Sequence, residues 1–194
     1  MMKTFFSWLK ILSFCVLVWT GAAQAANVEG FQIEDRIRLA DTELQLNGVG
    51  VRSAYFLKFY VASMYLTQRS SSKDVIVRTT GPKRFQMAML FSASSADFNK
   101  ALTKGMRRNS TDEEFAKLEE RMHTMEKIID SFVTVKRGDV INMDFIPGKG
   151  TVVSVNGLAK FSPIGGEDFY GKLLEVFIGE HVSDEPLRQR LLGL

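Results

Sequence analysis

The chain has 194 residues, of which 45% are hydrophobic and 24% are charged, and its formal net charge is +3. This length is enough for one domain with a full core, and the composition excludes a disordered, fibrous or polytopic membrane protein. Composition alone therefore bounds the class of protein without identifying an activity.

The first 25 residues have the three parts of a secretory signal peptide. Two lysines within the first ten residues form a positive n-region, residues 11–19 are a short apolar run, and Ala23-Gln24-Ala25 is a small-x-small cleavage site. The apolar run is too short for a transmembrane helix. We therefore expect cleavage after Ala25, export to the periplasm of a Gram-negative cell and one mature domain over residues 26–194. An uncleaved N-terminal anchor is the alternative.

Cleavage would change the charge and the chemistry of the chain. It removes Lys3, Lys10 and the only cysteine, Cys15, and leaves 23 basic residues against 22 acidic ones. A net charge of +1 argues against a nucleic-acid partner, because phosphate binding needs a basic patch. Neither His123 nor His181 has metal-ligand spacing, so we predict no metal and no other cofactor. No second apolar span follows, so we expect no integral membrane span in the mature protein.

Strand patterns dominate the first part of the mature chain. Four segments rich in β-branched and aromatic residues predict strands, at 31–39, 43–46, 54–66 and 84–91. Asn47-Gly48 and Gly50 mark a turn or a bulge after the second segment. The third segment is apolar at both parities, which predicts a central strand covered on both faces.

Helices and hairpins follow in the second part. Ser94 or Ser95 begins a predicted helix that runs to Met106, and Thr111 with Glu114 forms a capping box before a longer helix. The remaining elements are predicted as strands at 139–146 and 151–155, a hairpin turn at 156–157, a strand at 158–162, a helix at 169–178 and a last helix from Ser183. This order predicts an α+β domain with a largely antiparallel sheet.

Arg52 is the most informative charged residue, because it follows a glycine-rich turn at the start of the most apolar segment. Such an arginine lies either at a sheet edge in water or among apolar side chains. In the second case burial without an anion would cost several kcal/mol. The anion would come from the protein or from a ligand, and residue statistics favour a structural ion pair.

Five short motifs follow one another along the whole mature chain. They are Leu46-Asn47-Gly48-Val49-Gly50-Val51-Arg52 with the segment after it, Pro147-Gly148-Lys149-Gly150-Thr151, Val155-Asn156-Gly157, Gly166-Glu167-Asp168-Phe169-Tyr170 and Ile178-Gly179-Glu180-His181. Their order and spacing resemble the chalcone isomerase family, and in particular its exported bacterial branch. The resemblance implies an open-faced β-sandwich, in which a large antiparallel sheet is backed by a layer of helices with a ligand cleft between them.

The resemblance also implies an activity, which the site positions do not support. Plant enzymes of the family are intramolecular lyases (isomerases) that close a chalcone into a flavanone, and Arg52 matches their catalytic arginine. Tyr60 stands in place of a threonine, Phe98 of a tyrosine, Gly105 of an asparagine and Val176 of a threonine. Each lost donor would cost about 2–4 kcal/mol of transition-state stabilisation, so we do not expect efficient cyclisation.

We therefore predict a non-catalytic protein that binds a small amphipathic ligand, such as a fatty acid or another apolar carboxylate. Some plastid members of the family bind fatty acids. In this hypothesis Arg52 anchors the carboxylate and Tyr60 is a second donor, while Phe98, Val176 and Phe177 form apolar walls.

Two alternatives stay open at this point. The first is an isomerase that acts on an unknown chalcone-like metabolite through Arg52 and Tyr60. The second is an interaction protein whose cleft is filled by its own side chains, with Arg52 paired internally to Glu43 or Asp144. A cavity beside Arg52 would discriminate between a filled cleft and a binding site.

Overall fold

A computed structural model of the chain describes residues 25–159 and 161–194. The predicted signal peptide falls on residues 1–25, and all of it except Ala25 lies outside the described residues. Cleavage and export therefore stay predictions.

Eleven strands and five helices lie within the described residues. The strands are β1 (Ala25–Val28), β2 (Phe31–Glu34), β3 (Arg36–Leu39), β4 (Thr42–Ala54), β5 (Leu57–Leu66), β6 (Lys83–Met89), β7 (Ala93–Ser94), β8 (Thr134–Val135), β9 (Val140–Ile146), β10 (Gly150–Val155) and β11 (Leu158–Ala159). The helices are α1 (Lys73–Arg78), α2 (Ser95–Arg108), α3 (Asp112–Asp130), α4 (Glu167–Ile178) and α5 (Glu185–Leu191).

The main sheet has seven strands in the order β11-β10-β9-β6-β5-β4-β3, and every neighbouring pair is antiparallel. Two smaller antiparallel pairs, β1–β2 and β7–β8, lie beside it. The helices α2, α4 and α5 pack on one face of the sheet and α3 packs on α2. This arrangement confirms the predicted α+β class and the predicted antiparallel sheet.

Both faces of the central strand β5 are covered, as its sequence predicts. Ala62 and Met64 join the large core between the sheet and the helices. Val61 points to the other face, where it packs with Ile33 of the β1–β2 hairpin and Ala88 of β6. This alternation is the period of two that a strand imposes on its side chains.

The glycine-rich segment in β4 is a bulge within one long strand, and the structure thereby decides between the two predicted options. The register with β5 shifts between Leu46 and Gly48. A side chain at Gly48 would collide with the backbone carbonyl of Arg190 in α5, so the missing Cβ allows the helix to approach the strand. The side-chain Nδ2 of Asn47 donates to the carbonyl oxygen of Leu191 at 2.8 Å and ties the two elements together.

The strand predicted over residues 54–66 is wrong at its start. Ala54 pairs with Leu57 across a two-residue turn at Tyr55 and Phe56, whose φ angles are +49° and +67°. Two-residue hairpins of this hand usually carry Asn-Gly, so a turn made of two aromatic residues leaves no signal in the sequence. The short helix α1 is also absent from the sequence prediction.

The helix starts follow the predicted capping residues with one correction. The side-chain oxygen of Ser94 accepts from the amide of Asp97 at 3.1 Å and caps α2. The capping box of Thr111 and Glu114 is formed at the start of α3. The last helix was predicted from Ser183. It is capped by Asp184 and begins at Glu185, because the Asp184 carboxylate accepts from the amide of Leu187 at 2.9 Å.

Candidate ligand-binding cavity

A cavity of about 460 Å³ lies between the sheet and the helix layer. All five residues that the sequence prediction placed at a ligand site line it: Arg52, Tyr60, Phe98, Val176 and Phe177. The cavity volume falls within the range of about 300–1,000 Å³ that is typical of small-molecule sites. The structure therefore brings together residues that lie up to 125 positions apart in the sequence.

The floor of the cavity is made by three adjacent strands. Arg52 of β4 pairs with Tyr60 of β5, and Tyr60 pairs with Met89 of β6. All three side chains line the cavity. A second register shift between Arg52 and Ser53 lets the strand change direction at the arginine, because a bulge bends the strand that carries it.

The helices supply the apolar roof. Phe98 and Ala101 come from α2, and Val176 and Phe177 come from α4. The ring of Phe177 stacks on the ring of Phe85 in β6 with a centroid distance of 4.0 Å. This stacking holds α4 at a fixed height above the sheet.

Arg52 has an internal ion-pair partner, which is neither of the two predicted candidates. Its Nη1 donates to Asp184 Oδ2 at 2.8 Å and to the carbonyl oxygen of Ser53 at 3.0 Å. The candidate partners Glu43 and Asp144 are wrong, because Glu43 pairs with Arg36 and Asp144 pairs with Arg84.

The geometry of the sheet explains why these two carboxylates do not reach Arg52. Glu43 lies nine residues earlier on the same strand, which at about 3.3 Å per residue places it roughly 30 Å away. Asp144 lies next to Phe145, whose side chain is in the core under the helices, so Asp144 points to the opposite face.

Asp184 is itself fixed by the start of α5. Its Oδ1 accepts from the amide of Leu187 at 2.9 Å, and its Oδ2 accepts from Arg52 and from the amide of Ser53 at 3.4 Å. Within the described residues, Nε and Nη2 of Arg52 make no hydrogen bond. Asp184 therefore orients the guanidinium through one nitrogen and leaves its other donors beside the cavity.

Tyr60 contributes a neutral hydroxyl to the same region. Burial raises the pKa of Tyr60 to about 12, and the Asp184 charge adds to this rise while the Arg52 charge opposes it. The phenol is therefore protonated at neutral pH and is able to donate a hydrogen bond. It makes no side-chain hydrogen bond to any described residue.

Several residues at the cavity were missed by the sequence analysis. The carboxylates of Asp97 and Asp184 and the hydroxyls of Ser92 and Ser183 lie at its wall. Asp184 precedes Glu185-Pro186, a pattern typical of a helix start, so its capping role had a sequence signal. Its proximity to Arg52 had none, because the two residues are 132 positions apart.

Gly105 and the two histidines lie away from the cavity lining. Gly105 faces α4, where a Cβ atom would collide with Val176, so it sets the closeness of α2 and α4. The side chain of His123 is 66% exposed, and His181 is exposed after the end of α4. The described part of the chain holds no cluster of three or more histidine, cysteine, aspartate or glutamate residues suited to a metal ion.

A second, much smaller void lies behind Phe98. It has a volume of about 10 Å³ and an entirely apolar lining that includes Met125, Ile129 and Phe132. Phe98 lines both this void and the main cavity. Its ring is therefore the partition between them.

Comparison with known proteins supports the same architecture. The chalcone isomerase-like family model matches residues 25–193, and the chain belongs to the chalcone isomerase-like family. Among 38 matching solved chains is a fatty-acid binding protein from Arabidopsis thaliana. It superposes with a TM-score of 0.67 at 14% sequence identity, over 87% of this chain and 96% of that one. At this identity the likeness establishes the shared fold alone. A comparison with curated proteins gives no match.

No helix within the described residues is long and apolar enough to cross a membrane. The exported bacterial branch of the family stays a prediction from the motifs, as does the periplasmic location.

Proposed function

We propose that this protein binds a small amphipathic carboxylate, such as a fatty acid, in the cavity and does not transform it. The observation that carries the proposal is the cavity of about 460 Å³, whose wall is largely apolar and holds a guanidinium and a neutral phenol side by side. Such a site suits a ligand with a long apolar tail and one anionic head. Export through the predicted signal peptide would place this binding in the periplasm.

The similarity in fold to a fatty-acid binding protein supports the apolar tail of the proposed ligand. In this proposal the tail lies along Phe98, Val176 and Phe177. Each methylene group transferred from water would contribute about 0.8 kcal/mol. Burial of the tail in the cavity would therefore supply most of the binding free energy, and the head group would determine the orientation of the ligand.

The head group would be held by Arg52 and Tyr60. No described residue accepts a hydrogen bond from Nε or Nη2 of Arg52, and the Tyr60 hydroxyl is protonated at neutral pH. Charge-assisted hydrogen bonds from such donors are among the stronger polar contacts in proteins. The negative charge of Asp184 would oppose a second carboxylate nearby, so the head would be held less tightly than by an unpaired arginine.

The absence of hydroxyl groups from two wall positions supports a non-catalytic role. Phe98 and Val176 face the cavity without a donor, and polarising a ketone during cyclisation needs donors aimed at the oxygen. The isomerase alternative keeps one observation in its favour, which is that Arg52 and the neutral Tyr60 both line the cavity. Turnover of a chalcone that depends on Arg52 would support that alternative. The cavity itself weighs against a cleft filled by its own side chains.

The decisive experiment compares two ligands and three proteins. Mass spectrometry of the purified protein, native and then denatured, would first identify any bound acidic lipid. Calorimetric titration would then compare hexadecanoate with hexadecanol, which has the same tail and no carboxylate. We expect Arg52→Met to weaken hexadecanoate binding about tenfold to 100-fold, because hydrogen bonds to charged groups contribute about 1.5–3 kcal/mol.

The matched control is Arg36→Met, because Arg36 is exposed and lies on β3, away from the cavity. We expect this variant to bind both ligands like the wild type. We expect hexadecanol affinity to change little in Arg52→Met. Equal hexadecanoate affinity in the wild type and Arg52→Met would remove the anchor from the proposal, and absence of binding to both ligands would overturn the proposal itself.

A further inference from the structure

Four large apolar side chains are exposed together at the mouth of the cavity. Tyr55 is 94% exposed, Phe56 104%, Leu57 50% and Phe91 51%. We call these four residues the mouth patch. Large apolar side chains that are exposed next to one another on a protein surface usually mark an interaction site.

The mouth patch is continuous with the cavity. Tyr55 and Phe56 form the tip of the β4–β5 hairpin, and Tyr55 and Phe91 also line the cavity wall. The ring of Phe91 meets the edge of the Phe59 ring at a centroid distance of 6.2 Å, and Phe59 lines the cavity as well. A surface that covered the patch would therefore also cover the entrance.

The backbone of the hairpin tip is held in an unfavourable conformation. Tyr55 and Phe56 both have positive φ angles, +49° and +67°, which large side chains rarely adopt. Asn-Gly would form this turn at lower conformational cost. Two fully exposed aromatic residues at strained positions contribute little to folding, so their presence points to a function outside the fold.

Two exposed cations lie near the mouth of the cavity. Lys136 and Arg137 are exposed. The backbone amide of Arg137 donates at 3.1 Å to the hydroxyl of Ser92, a residue that lines the cavity. Neither side chain forms a salt bridge within the described residues. Each carboxylate nearby already accepts hydrogen bonds within the described residues. Asp139 accepts from the backbone amide of Lys136 and from the side-chain amide of Asn156. Asp97 accepts from the hydroxyl of Ser94, and Asp184 pairs with Arg52.

Aromatic and cationic side chains that lie close together suit the headgroup region of a bilayer that contains anionic lipids. Tyrosine and phenylalanine rings partition into the headgroup region, and lysine and arginine attract anionic headgroups. The acidic exposed surface of α3, which includes Glu119 and Glu120, disfavours contact through the helix layer.

We propose that the mouth patch docks on the surface of a lipid bilayer that contains anionic lipid. The four apolar side chains enter the interface, and Lys136 and Arg137 contact the headgroups. In this orientation the cavity opens toward the bilayer, so an amphipathic carboxylate passes between the two without crossing water. The passage of a ligand rests on the proposed function, whereas the docking does not.

The test is co-sedimentation of the whole protein with vesicles. One set contains phosphatidylcholine with phosphatidylglycerol and the other contains phosphatidylcholine alone. We expect binding to the anionic vesicles and weaker binding to the neutral ones. Tyr55→Asn/Phe56→Gly should lower vesicle affinity tenfold or more, because the lost rings no longer bury apolar area in the interface. Its unfolding midpoint should stay equal or rise, because Asn-Gly suits the turn.

Two further variants separate the contributions of charge and of general hydrophobicity. Lys136→Gln and Arg137→Gln should each weaken binding to anionic vesicles about fivefold and leave binding to neutral vesicles unchanged. Val75→Ser is the matched apolar control, because Val75 is 53% exposed on α1. This helix lies between the end of β5 and the start of β6, whereas the mouth patch lies at the other ends of these strands. This control should bind like the wild type.

Three outcomes would overturn the docking proposal. They are failure of the wild type to sediment with anionic vesicles, wild-type binding by the Tyr55→Asn/Phe56→Gly variant, and a lipid-free dimer that this variant abolishes. The last outcome would assign the mouth patch to a second copy of the chain. Titration of the wild type with hexadecanoate in the absence of vesicles tests the proposed function separately. Vesicle binding without hexadecanoate binding would support the docking proposal and contradict the proposed function.

Discussion

Two arginines of the main sheet each pair with an aspartate, and they differ in the number of donors that the pair uses. Arg84 of β6 holds Asp144 of β9 through Nε and Nη2, both at 2.6 Å. Arg52 of β4 holds Asp184 through Nη1 alone at 2.8 Å. The first pair lies on the face away from the helices, whereas the second lies beside the cavity.

In the first pair two guanidinium nitrogens donate to the carboxylate, whereas in the second pair one nitrogen does so and two others are left to bind a ligand. The hydrogen bonds that Arg84 donates to Asp144 raise the pKa of Arg84 above its ordinary value, with burial opposing the rise. In this bidentate geometry Nε and Nη2 of Arg84 both donate to one carboxylate. Arg52 keeps Nε and Nη2, so its partner orients the group without saturating it. Asp184 keeps the amides of Leu187 and Ser53 as donors when Arg52 is replaced. We therefore expect the first pair to contribute more to stability and the second to contribute more to ligand affinity.

The largest expected effect is on stability, in Arg84→Met. Arg84 and Asp144 have side chains that are 19% and 8% exposed, and removal of one partner would leave a buried carboxylate without its cation. We expect a loss of about 3–5 kcal/mol in the free energy of unfolding, measured by urea denaturation.

The double variant Arg84→Met/Asp144→Leu is the control for this prediction. Replacing both charges by apolar groups should recover much of the lost stability. Hexadecanoate affinity should stay at the wild-type level in both variants, in contrast to Arg52→Met. A stable Arg84→Met protein with weakened hexadecanoate binding would reverse the assigned roles of the two pairs.

A smaller effect is expected at Asp184, where Asp184→Asn sharpens the comparison. Asparagine is as good a helix N-cap as aspartate, so the start of α5 should be retained. Loss of the negative charge beside the bound head group should raise hexadecanoate affinity on the order of tenfold. Calorimetric titration checks this, with hexadecanol as the neutral reference. A fall in hexadecanoate affinity would mean that the ionic contact with Asp184 is needed to orient Arg52.

The same pair shows how far the sequence determines the site. The family motifs and the strand pattern were enough to predict the antiparallel sheet, and to place Arg52, Tyr60, Phe98 and Val176 at one cleft. The partner of Arg52 was not predictable, because the contact of Asp184 with β4 depends on the packing of α5 against the bulge at Gly48. Local pattern determines elements, whereas partners across packed layers depend on tertiary contacts.

The mouth patch was missed for a different reason. Alternation of apolar residues predicted one continuous strand through residues 54–66, and a turn without glycine, asparagine or proline gave no signal against it. The structure places Tyr55 and Phe56 in that turn with positive φ angles. Sequence patterns predict favourable local conformations, so they fail where the chain adopts a costly one.

The partition at Phe98 gives the next prediction, which concerns the length of the ligand tail. In Phe98→Ala the main cavity would join the small apolar void beside Met125 and Ile129. Longer fatty acids should gain affinity relative to hexadecanoate, by up to about fourfold for each methylene group that enters the new space. Titration with a homologous series of fatty acids measures this ratio. An unchanged ratio would show that the tail does not point toward α2.

The smallest effect is expected at Tyr60, in Tyr60→Phe. The neutral hydroxyl would donate to an ionised carboxylate that Arg52 already contacts, so we expect a contribution of about 1.5 kcal/mol, the lower end of the range for hydrogen bonds to charged groups. Hexadecanoate affinity should therefore fall about tenfold. Because burial raises the pKa of Tyr60 to about 12, the phenol stays protonated from pH 7 to pH 9. Wild-type affinity should therefore be constant over this range. A decline between pH 7 and pH 9 that is absent from Tyr60→Phe would contradict a buried, neutral phenol.

The raised pKa of Tyr60 also has a consequence for stability at high pH. The folded protein holds the phenolic proton more tightly than the unfolded chain does, so the proton stabilises the fold below the ordinary tyrosine pKa of 10.0. This stabilisation is lost as the pH rises from about 10 to about 12. Burial raises the pKa of Tyr65 and Tyr170 in the same direction, so only the difference between the wild type and Tyr60→Phe reports on Tyr60. Urea denaturation across this range should show a smaller loss of stability in Tyr60→Phe. Equal losses in the two proteins would mean that the phenol is open to solvent at the cavity mouth, and its role as a fixed donor to the carboxylate would then fail with it.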